Sequence, residues 1–376
     1  MVGGMGLAGT ETYLMNIYRN INREKLQFDF LTYEMNEINN HYYEEIENLG
    51  GKIHKLRLTN KWSFLNVIND IRKLLKNENY IAVHAHTKYN SGFAVFAAWL
   101  EGVKIRIVHS HNTGNEQNKT SIFNDIYRKT MYFVINNYAN NFCACSLKAA
   151  EQLFTPFNIK NHYRFLPNAV EFDKFLKIEP NEIEGLKDTL KIEGNKKIIG
   201  HIGRFVEIKN HEFIINLFVR LLNQDKNLHL VLIGDGPLRL KVEDKIKSLK
   251  IQENISVLGL RSDVPEIMNI LDVFILPSLF EGLGIVLLEA QAAGLPCIVS
   301  ENIQPEADMG LGLMHLIHLD NFNQWVSAII ENKGNKIRNK ELIKEAIKNS
   351  PYILSDVVEK FYNLYGLTNL ANKNCT

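Results

Sequence analysis

Two carboxylates, Glu281 and Glu289, stand on either side of a turn that contains Gly282 and Gly284. A helix is predicted to begin near Ile285, so that its N–H groups and its dipole would favour a phosphate at this turn. A carboxylate beside such a phosphate could accept hydrogen bonds from sugar hydroxyls. A helix that simply begins near acidic residues explains the same pattern without any ligand.

A second group of candidate residues follows an apolar run at 198–203. Gly203 would let a ligand approach the backbone, and Arg204 and Lys209 offer a planar guanidinium and a point charge, the usual pair for a diphosphate. On their own the two cations could equally be ordinary surface residues. The tight turn at 234–237 follows the next apolar run, and its function is weakly specified.

The first half of the chain offers weaker candidates. Gly4, Gly6 and Gly9 precede a helix predicted from about Thr10, and they could form a loop that cradles a phosphate. His111 lies where another apolar run ends. A histidine in that position could face a ligand or could merely begin a loop.

The elements that must position these residues are short apolar runs that alternate with amphipathic helical patterns. Strands that are apolar throughout are typical of parallel sheets covered by helices on both faces, and such sheets bind ligands at the carboxyl ends of their strands. Because the runs form two series, the sequence predicts an α/β protein with two Rossmann-like, doubly wound parallel-sheet domains that face a cleft. The runs are 27–33, 52–56, 81–86, 105–110, 141–146 and 163–167, and then 198–203, 228–234, 255–259, 273–277 and 296–300.

The composition does not indicate a nucleic-acid-binding or membrane-spanning protein. The 376 residues carry a formal net charge of +1, so that nothing global points to a nucleic-acid partner. The hydrophobic fraction of 45% fits a soluble globular protein. Spanning a bilayer takes about 18–20 apolar residues in a row, and no stretch of the sequence reaches that length.

Taken together, these segments resemble the retaining glycosyltransferases of family 4, which have the GT-B fold, and among them the bacterial transferases of capsule and exopolysaccharide biosynthesis. The most specific element is the pattern Phe-Glu-Gly…Glu-Ala-x-Ala-x-Gly-x-Pro that contains Glu281 and Glu289. The other segments that carry the resemblance are residues 9–16, 109–113, 166–169, 203–210 and 234–237.

The resemblance implies a role for each candidate residue. Arg204 and Lys209 would hold the donor diphosphate and stabilise the leaving nucleoside diphosphate without a metal. Glu281 would bind hydroxyls of the donor sugar, and Glu289 would bind the ribose. His111 would face the donor sugar near the reacting centre. Backbone contacts to sugar or phosphate would come from Gly284, Ile285 and Val286.

The resemblance also implies a reaction. A sugar would move, with retention, from a nucleotide-sugar (a UDP-sugar above all) to a glycan or a polyprenyl-diphosphate-linked acceptor. The leaving phosphate would help to deprotonate the acceptor, so that no enzymic nucleophile, metal or other cofactor is expected. The absence of an Asp-x-Asp motif agrees with this expectation. The enzyme would be cytoplasmic and could touch the inner face of the membrane through the stretch 61–76, although a core-facing helix also explains that pattern.

The expected domains are an N-terminal acceptor-side domain at 1–175, a C-terminal nucleotide-sugar-binding domain at 176–350, a helix at 351–367 that packs back toward the N-terminal domain, and a frayed tail at 368–376. Only Met1 and Val2 precede the glycine loop, where the family has its first strand. We therefore expect the natural protein to begin upstream with roughly 6–10 further apolar residues. A sugar-nucleotide epimerase or hydrolase, or an inactive truncated paralogue that serves as a partner subunit, are the alternatives.

Overall fold

A computed structural model describes residues 1–6, 9–33, 41–56, 64–111, 121–176, 185–190, 192 and 195–367. The paired strands of these residues all run parallel. The strands are β1 (Phe30–Tyr33), β2 (Ile53–Leu56), β3 (Ala82–Ala85), β4 (Ile105–Ser110), β5 (Asn141–Ala144), β6 (Tyr163–Phe165), β7 (Lys197–Ile202), β8 (Leu228–Ile233), β9 (Ile255–Val257), β10 (Val273–Leu276), β11 (Cys297–Ser300) and β12 (Met314–Ile317).

Helices alternate with these strands along the chain. They are α1 (Gly9–Asn20), α2 (Tyr43–Asn48), α3 (Phe64–Asn77), α4 (Ser91–Leu100), α5 (Ile122–Tyr138), α6 (Leu147–Glu151), α7 (Pro156–His162), α8 (Asp173–Leu176), α9 (Leu186–Thr189), α10 (His211–Gln224), α11 (Arg239–Ser248), α12 (Val264–Ile270), α13 (Ile285–Ala292), α14 (Phe322–Asn332), α15 (Lys340–Lys348) and α16 (Leu354–Leu364). The predicted α/β class, with parallel sheets and helices, is confirmed.

The second compact unit, Val170–Ile353, is built on one six-stranded sheet with the order β12-β11-β10-β7-β8-β9. Every residue of β8 is buried, as expected for an inner strand of a sheet covered on both faces. Phe218 of α10 and Trp325 of α14 belong to the buried core of this unit. The neighbours β7 and β10 are the strands at which the strand order reverses. In parallel sheets such a switch point opens a crevice at the carboxyl ends of the strands.

The first unit combines Met1–Ala169 with the chain from Leu354 onward. It contains a four-stranded sheet, β3-β4-β5-β6, and a two-stranded sheet, β1-β2. Met1 and Val2 lie between the two sheets and bond to both. Val2 donates its N–H to the carbonyl of Leu31 at 2.9 Å, and the Met1 carbonyl accepts the N–H of His86 at 2.9 Å. These two residues therefore link the two sheets through their backbone.

The boundaries of the two units lie between Ala169 and Val170 and between Ile353 and Leu354. Val170 pairs with Ile353, and the side chain of Asn269 donates to the carbonyl of Phe175, so that the segment just after Ala169 packs with the second unit. The helix α16 belongs to the first unit, where Phe361 packs against Tyr13 of α1 with ring centroids 6.2 Å apart.

The helix α3 bears on the expected membrane contact. Residues 61–63 lie outside the described part of the chain. Within α3, Val67 and Ile71 are buried in a core cluster that also contains Phe93 and Met131, so that the apolar face of the described helix turns to the core. Among the described residues, no helix is both long and apolar enough to cross a bilayer.

Candidate active site

The loop after β7 carries the two predicted diphosphate-binding cations. A single 3-10 turn, Glu207–Lys209, leads to Asn210, whose left-handed backbone (φ 57°) directs the chain into α10. Arg204 is exposed at the start of the loop, and Lys209 is partly buried near its end. The loop therefore presents one cation to solvent and folds the other one inward.

Two glycines give this loop its shape. A Cβ on Gly203 would lie 3.2 Å from Cδ of Lys209 and 3.1 Å from Nε2 of His201, so that the glycine leaves room for the lysine stem. Gly234 has a φ of 135°, and a Cβ there would lie 2.1 Å from the Gly203 carbonyl oxygen. The turn after β8 therefore supports the turn after β7 through direct backbone contact that only glycine permits.

Lys209 is held by the predicted sugar-binding carboxylate. Its ammonium forms an ion pair with Oε1 of Glu281, and the hydroxyl of Ser278 donates to the same oxygen at 2.7 Å. The Lys209 and Glu281 side chains are only 18% and 12% exposed. The N–H of Leu279 also donates to the carbonyl of Ile208 at 2.8 Å, which ties the two loops together. The structure thus brings Gly203, Lys209 and Glu281 together at the ends of β7 and β10.

The same loop leads into α13. Gly284 is the N-cap residue in a left-handed conformation (φ 73°), and Ile285 and Val286 open the first turn. At this end the helix dipole favours an anion. Glu289 is partly buried one turn further on, and burial raises its pKa to about 7, although the charge of Lys174 opposes the shift. Glu289 lies in the helix that this loop begins, as the sequence predicted, and it does not take part in the Lys209–Glu281 contact.

His111 lies in the first unit, at the end of β4, and both of its ring nitrogens have partners. Nδ1 lies 3.1 Å from Oδ1 of Asn168, and Nε2 lies 2.8 Å from Nδ1 of His86. Burial lowers the pKa of His111 to about 4, while the hydrogen bond with Asn168 opposes the shift. A neutral ring satisfies both contacts when it donates Nδ1–H to Asn168 and accepts Nδ1–H from His86.

Three further histidines, His84, His86 and His109, surround this ring. Sequence analysis did not single out His84 and His86. His84 and His86 end β3 with the same alternate spacing that His109 and His111 have at the end of β4. Burial lowers the pKa of His84, His86 and His109 well below the usual imidazole range. The two His-x-His patterns at the ends of adjacent strands were the signal that could have revealed this histidine cluster.

The nitrogens of His84, His86 and His109 lie within 4.8 Å of one another, so that the trio could be considered for a metal ion. The rings of His84 and His86 stack with centroids 4.2 Å apart and planes 26° apart, and the planes of His84 and His109 differ by 19°. Imidazole nitrogens bind Zn²⁺ in the ring plane at about 2.0–2.1 Å. The stacked rings of His84 and His86 do not both direct an in-plane nitrogen at one point, so that this pair would have to reorient before the trio could hold an ion.

The glycine loop is described only in part. Gly4 is buried, Gly6 is partly buried, and Gly9 begins α1. Leu7 and Ala8 lie outside the described residues, so that the proposed phosphate-binding roles of Gly4, Gly6 and Gly9 stay predictions.

Both halves of the chain match models of known protein families. The model of glycosyl transferases group 1 matches residues 182–310, and that of glycosyltransferase family 4 matches residues 7–174. EpsF of Bacillus subtilis strain 168, which is named as a glycosyltransferase, is 34% identical over 384 residues that cover 100% of this chain and 97% of EpsF. The chain is also similar to the Escherichia coli UDP-Gal:α-D-GlcNAc-diphosphoundecaprenol α-1,3-galactosyltransferase, with 27% identity over 71% of this chain and 70% of that protein.

A further relative is CapH of Staphylococcus aureus, a capsular polysaccharide biosynthesis glycosyltransferase, which is 24% identical over 81% of each chain. Among solved structures, Anabaena HepE in complex with UDP-glucose superposes with a TM-score of 0.76 at 15% identity and covers 98% of both chains. That likeness supports the two-domain fold, and the match to EpsF extends along the whole chain. The chain belongs to the family 4 glycosyltransferases, which have the GT-B fold.

Proposed function

We propose that this glycosyltransferase moves a sugar, with retention and without a metal, from a UDP-sugar to a lipid-linked glycan acceptor in the synthesis of a surface polysaccharide. The observation that carries the proposal is the cluster at the ends of β7 and β10. There Lys209 pairs with Glu281 in the loop that leads into α13, and the exposed Arg204 opens the loop that carries Lys209. Two cations and a helix N-terminus suit a diphosphate, and the carboxylate suits the hydroxyls of a sugar.

The Lys209–Glu281 ion pair suggests how the diphosphate and the sugar of a donor would be bound together. The ammonium and the carboxylate neutralise each other. A diphosphate would draw Lys209 away from Glu281 or share it, and the carboxylate would then accept hydrogen bonds from the sugar. Arg204, which is exposed, would add the planar contact and stabilise the charge that develops on the leaving diphosphate. Glu289 would accept the ribose hydroxyls.

His111 would act on the sugar side of the donor. Burial holds the ring neutral, and its two contacts, to His86 and to Asn168, fix its orientation. To meet a sugar hydroxyl or the reacting bond through Nε2, the ring would give up the contact with His86.

The relatives support the choice of substrates. HepE was crystallised with UDP and with UDP-glucose, the Escherichia coli relative is named for UDP-Gal and a diphosphoundecaprenol acceptor, and CapH is named for capsular polysaccharide biosynthesis. We propose the same classes here: a UDP-hexose as donor and a polyprenyl-diphosphate sugar as acceptor.

A lipid-linked acceptor would place the enzyme at the cytoplasmic membrane face. In the first unit Phe64 stacks on Tyr127 with centroids 5.5 Å apart, which joins the starts of α3 and α5. Leu65, Ile122 and Ile126 are 75%, 77% and 57% exposed there. We propose that these side chains enter the interface of the bilayer. The double variant Ile122→Ser with Ile126→Ser should float less with anionic phospholipid vesicles than the unmodified protein and keep its UDP affinity. Equal flotation would exclude this surface.

The test of the proposed function incubates the protein with a panel of UDP-sugars, with and without a polyprenyl-diphosphate-linked sugar, in EDTA. We expect one UDP-sugar to be consumed only when the acceptor is present, and NMR of the product to give the anomeric configuration of the donor. A free monosaccharide or an epimer formed without acceptor would identify an epimerase or hydrolase instead. No turnover of any donor, together with no binding of UDP, would favour an inactive partner subunit.

A further inference from the structure

A buried asparagine, Asn168, contacts the ring of His111 at the end of the four-stranded sheet. Its residue is only 6% exposed, and its Oδ1 lies 3.1 Å from Nδ1 of His111. Two positions earlier in the chain, the carbonyl oxygen of Leu166 lies 3.1 Å from Nε2 of His109. The segment after β6 therefore gives one acceptor to each of the two alternate histidines at the end of β4.

These two acceptors meet opposite nitrogens of the two rings. A carbonyl oxygen only accepts, so that the contact with Leu166 places the ring hydrogen of His109 on Nε2. The amide oxygen of Asn168 also accepts, so that it places the ring hydrogen of His111 on Nδ1. Burial lowers the pKa of both rings below the ordinary imidazole value, and each neutral ring carries one hydrogen. Nε2 of His111 is therefore left with a lone pair and no hydrogen.

His86 supplies a hydrogen to this lone pair. Its Nδ1 lies 2.8 Å from Nε2 of His111. Because Nε2 has no hydrogen of its own, Nδ1 of His86 is the donor. His86 and His111 are partly exposed, whereas Asn168 is buried. A group that enters from solvent can therefore replace His86 beside His111, but it cannot replace Asn168.

We propose that Asn168 is a positioning residue that keeps Nε2 of His111 a hydrogen-bond acceptor, and that His86 occupies this acceptor until a hydroxyl of the donor sugar replaces it. The proposal rests on the proposed function, in which His111 meets the sugar. A hydroxyl donates to the lone pair of Nε2, whereas an ionised carboxylate or a fluorine atom has no hydrogen to donate. The arrangement therefore selects a hydroxyl at one position of the sugar.

Nitrogen-15 NMR of the histidine rings tests the role of Asn168 without any substrate. With ring signals assigned by through-bond correlation to the backbone, we expect Nδ1–H for His86 and His111, and Nε2–H for His109. Asn168→Leu removes the acceptor at similar size, so that His111 should populate the Nε2–H tautomer while His109 stays unchanged. Asn168→Asp keeps an acceptor oxygen, so that Nδ1 of His111 should keep its hydrogen.

Two results of this experiment would overturn the proposal. One is an Nε2–H tautomer of His111 in the unmodified protein. The other is an Nδ1–H tautomer that persists unchanged in Asn168→Leu. If Asn168→Leu does not fold, the spectra of the unmodified protein and of Asn168→Asp decide the question by themselves.

Addition of ligand tests the exchange at His86. The UDP-hexose that the enzyme consumes, added without acceptor, should shift the Nδ1 signal of His86 and leave the hydrogen of His111 on Nδ1. UDP alone lacks the sugar, so that it should leave the His86 signal in place. A shift with UDP alone, or no shift with the UDP-hexose, would contradict the exchange.

Fluorinated donors identify the hydroxyl. The probes are this UDP-hexose and its analogues in which fluorine replaces one sugar hydroxyl at a time, each assayed with the unmodified enzyme and with His111→Ala. One analogue should have a kcat/KM at least about tenfold below that of the parent donor in the unmodified enzyme, and this ratio should approach one in His111→Ala. The electron withdrawal by fluorine is present in both enzymes and cancels in the comparison.

The outcomes separate this proposal from the proposed function. The same ratio in both enzymes at every position would overturn the assignment of a sugar hydroxyl to His111. If no UDP-sugar is consumed or bound, the proposed function fails, and the ring spectra of the unliganded protein still decide the role of Asn168.

Discussion

Replacing Glu281 by glutamine should separate binding of the nucleotide from transfer of the sugar. The carboxylate forms an ion pair with Lys209 at a site where both side chains are less than one-fifth exposed (18% and 12%). A charge-assisted hydrogen bond of this kind contributes about 1.5–3 kcal/mol. Its loss should lower the melting temperature of the free protein by about 3–10 °C. It should also release Lys209 for the diphosphate, so that UDP affinity stays equal or rises by up to about tenfold.

Turnover should respond in the opposite direction. If the carboxylate orients the sugar in the transition state, Glu281→Gln should lower kcat by about 100-fold or more. Calorimetric titration with UDP and initial-rate kinetics give the two quantities. The matched control is Glu207→Gln, which removes the same charge from an exposed position in the loop that carries Lys209. A loss of UDP affinity as large as the loss of kcat, or equal effects of the two substitutions, would refute the reasoning.

Three further outcomes are expected. His111→Ala should lower kcat about 100-fold and leave UDP affinity unchanged, because the residues that we propose to bind UDP belong to the second unit. A parallel loss of UDP affinity would contradict this assignment. Gly234→Ala should weaken UDP binding and lower the free energy of unfolding by about 1–3 kcal/mol. The control is Gly310→Ala, which has a φ of 73° and no atom within 4 Å of the new Cβ, so that it should affect only stability. Unchanged UDP affinity in Gly234→Ala would show that the backbone contact with Gly203 is dispensable. The free energy of unfolding should decrease from about pH 6.5 toward pH 4, because the unfolded chain binds protons there that the buried native rings do not; each ring contributes about 1.4 kcal/mol per pH unit. A urea midpoint that does not change between pH 7 and pH 5 would contradict this. The rings with lowered pKa are His84, His86, His109, His111, His201, His211 and His229.

Much of the fold could be predicted from the sequence because buried parallel strands are short, continuous apolar runs. The run at 105–110 coincides with β4, and the run at 228–234 contains all of β8. The strand β12 (Met314–Ile317) was not predicted. It contains His315 and has only one buried residue, Ile317, so that it lacks the continuous apolar character of an inner strand.

The contacts within the site were harder to predict, because they depend on which strands are neighbours. Lys209 and Glu281 were assigned separate roles, and their ion pair follows from the pairing of β7 with β10. Likewise, the contact between His86 and His111 requires β3 and β4 to be adjacent. Spacing along the chain placed each of these residues at the end of a strand, but it did not reveal which ends meet.

The most direct test of the central claim is a calorimetric titration of UDP, in EDTA, into the unmodified protein and into the double variant Arg204→Ala with Lys209→Ala. We expect metal-free binding to the unmodified protein and affinity weaker by at least about 100-fold in the double variant, because two charge-assisted contacts are lost. Lys226→Ala, which removes an exposed cation elsewhere in the second unit, should bind UDP as the unmodified protein does. Binding that requires Mg²⁺, or that survives the double substitution, would contradict the assignment of these two cations to the donor diphosphate.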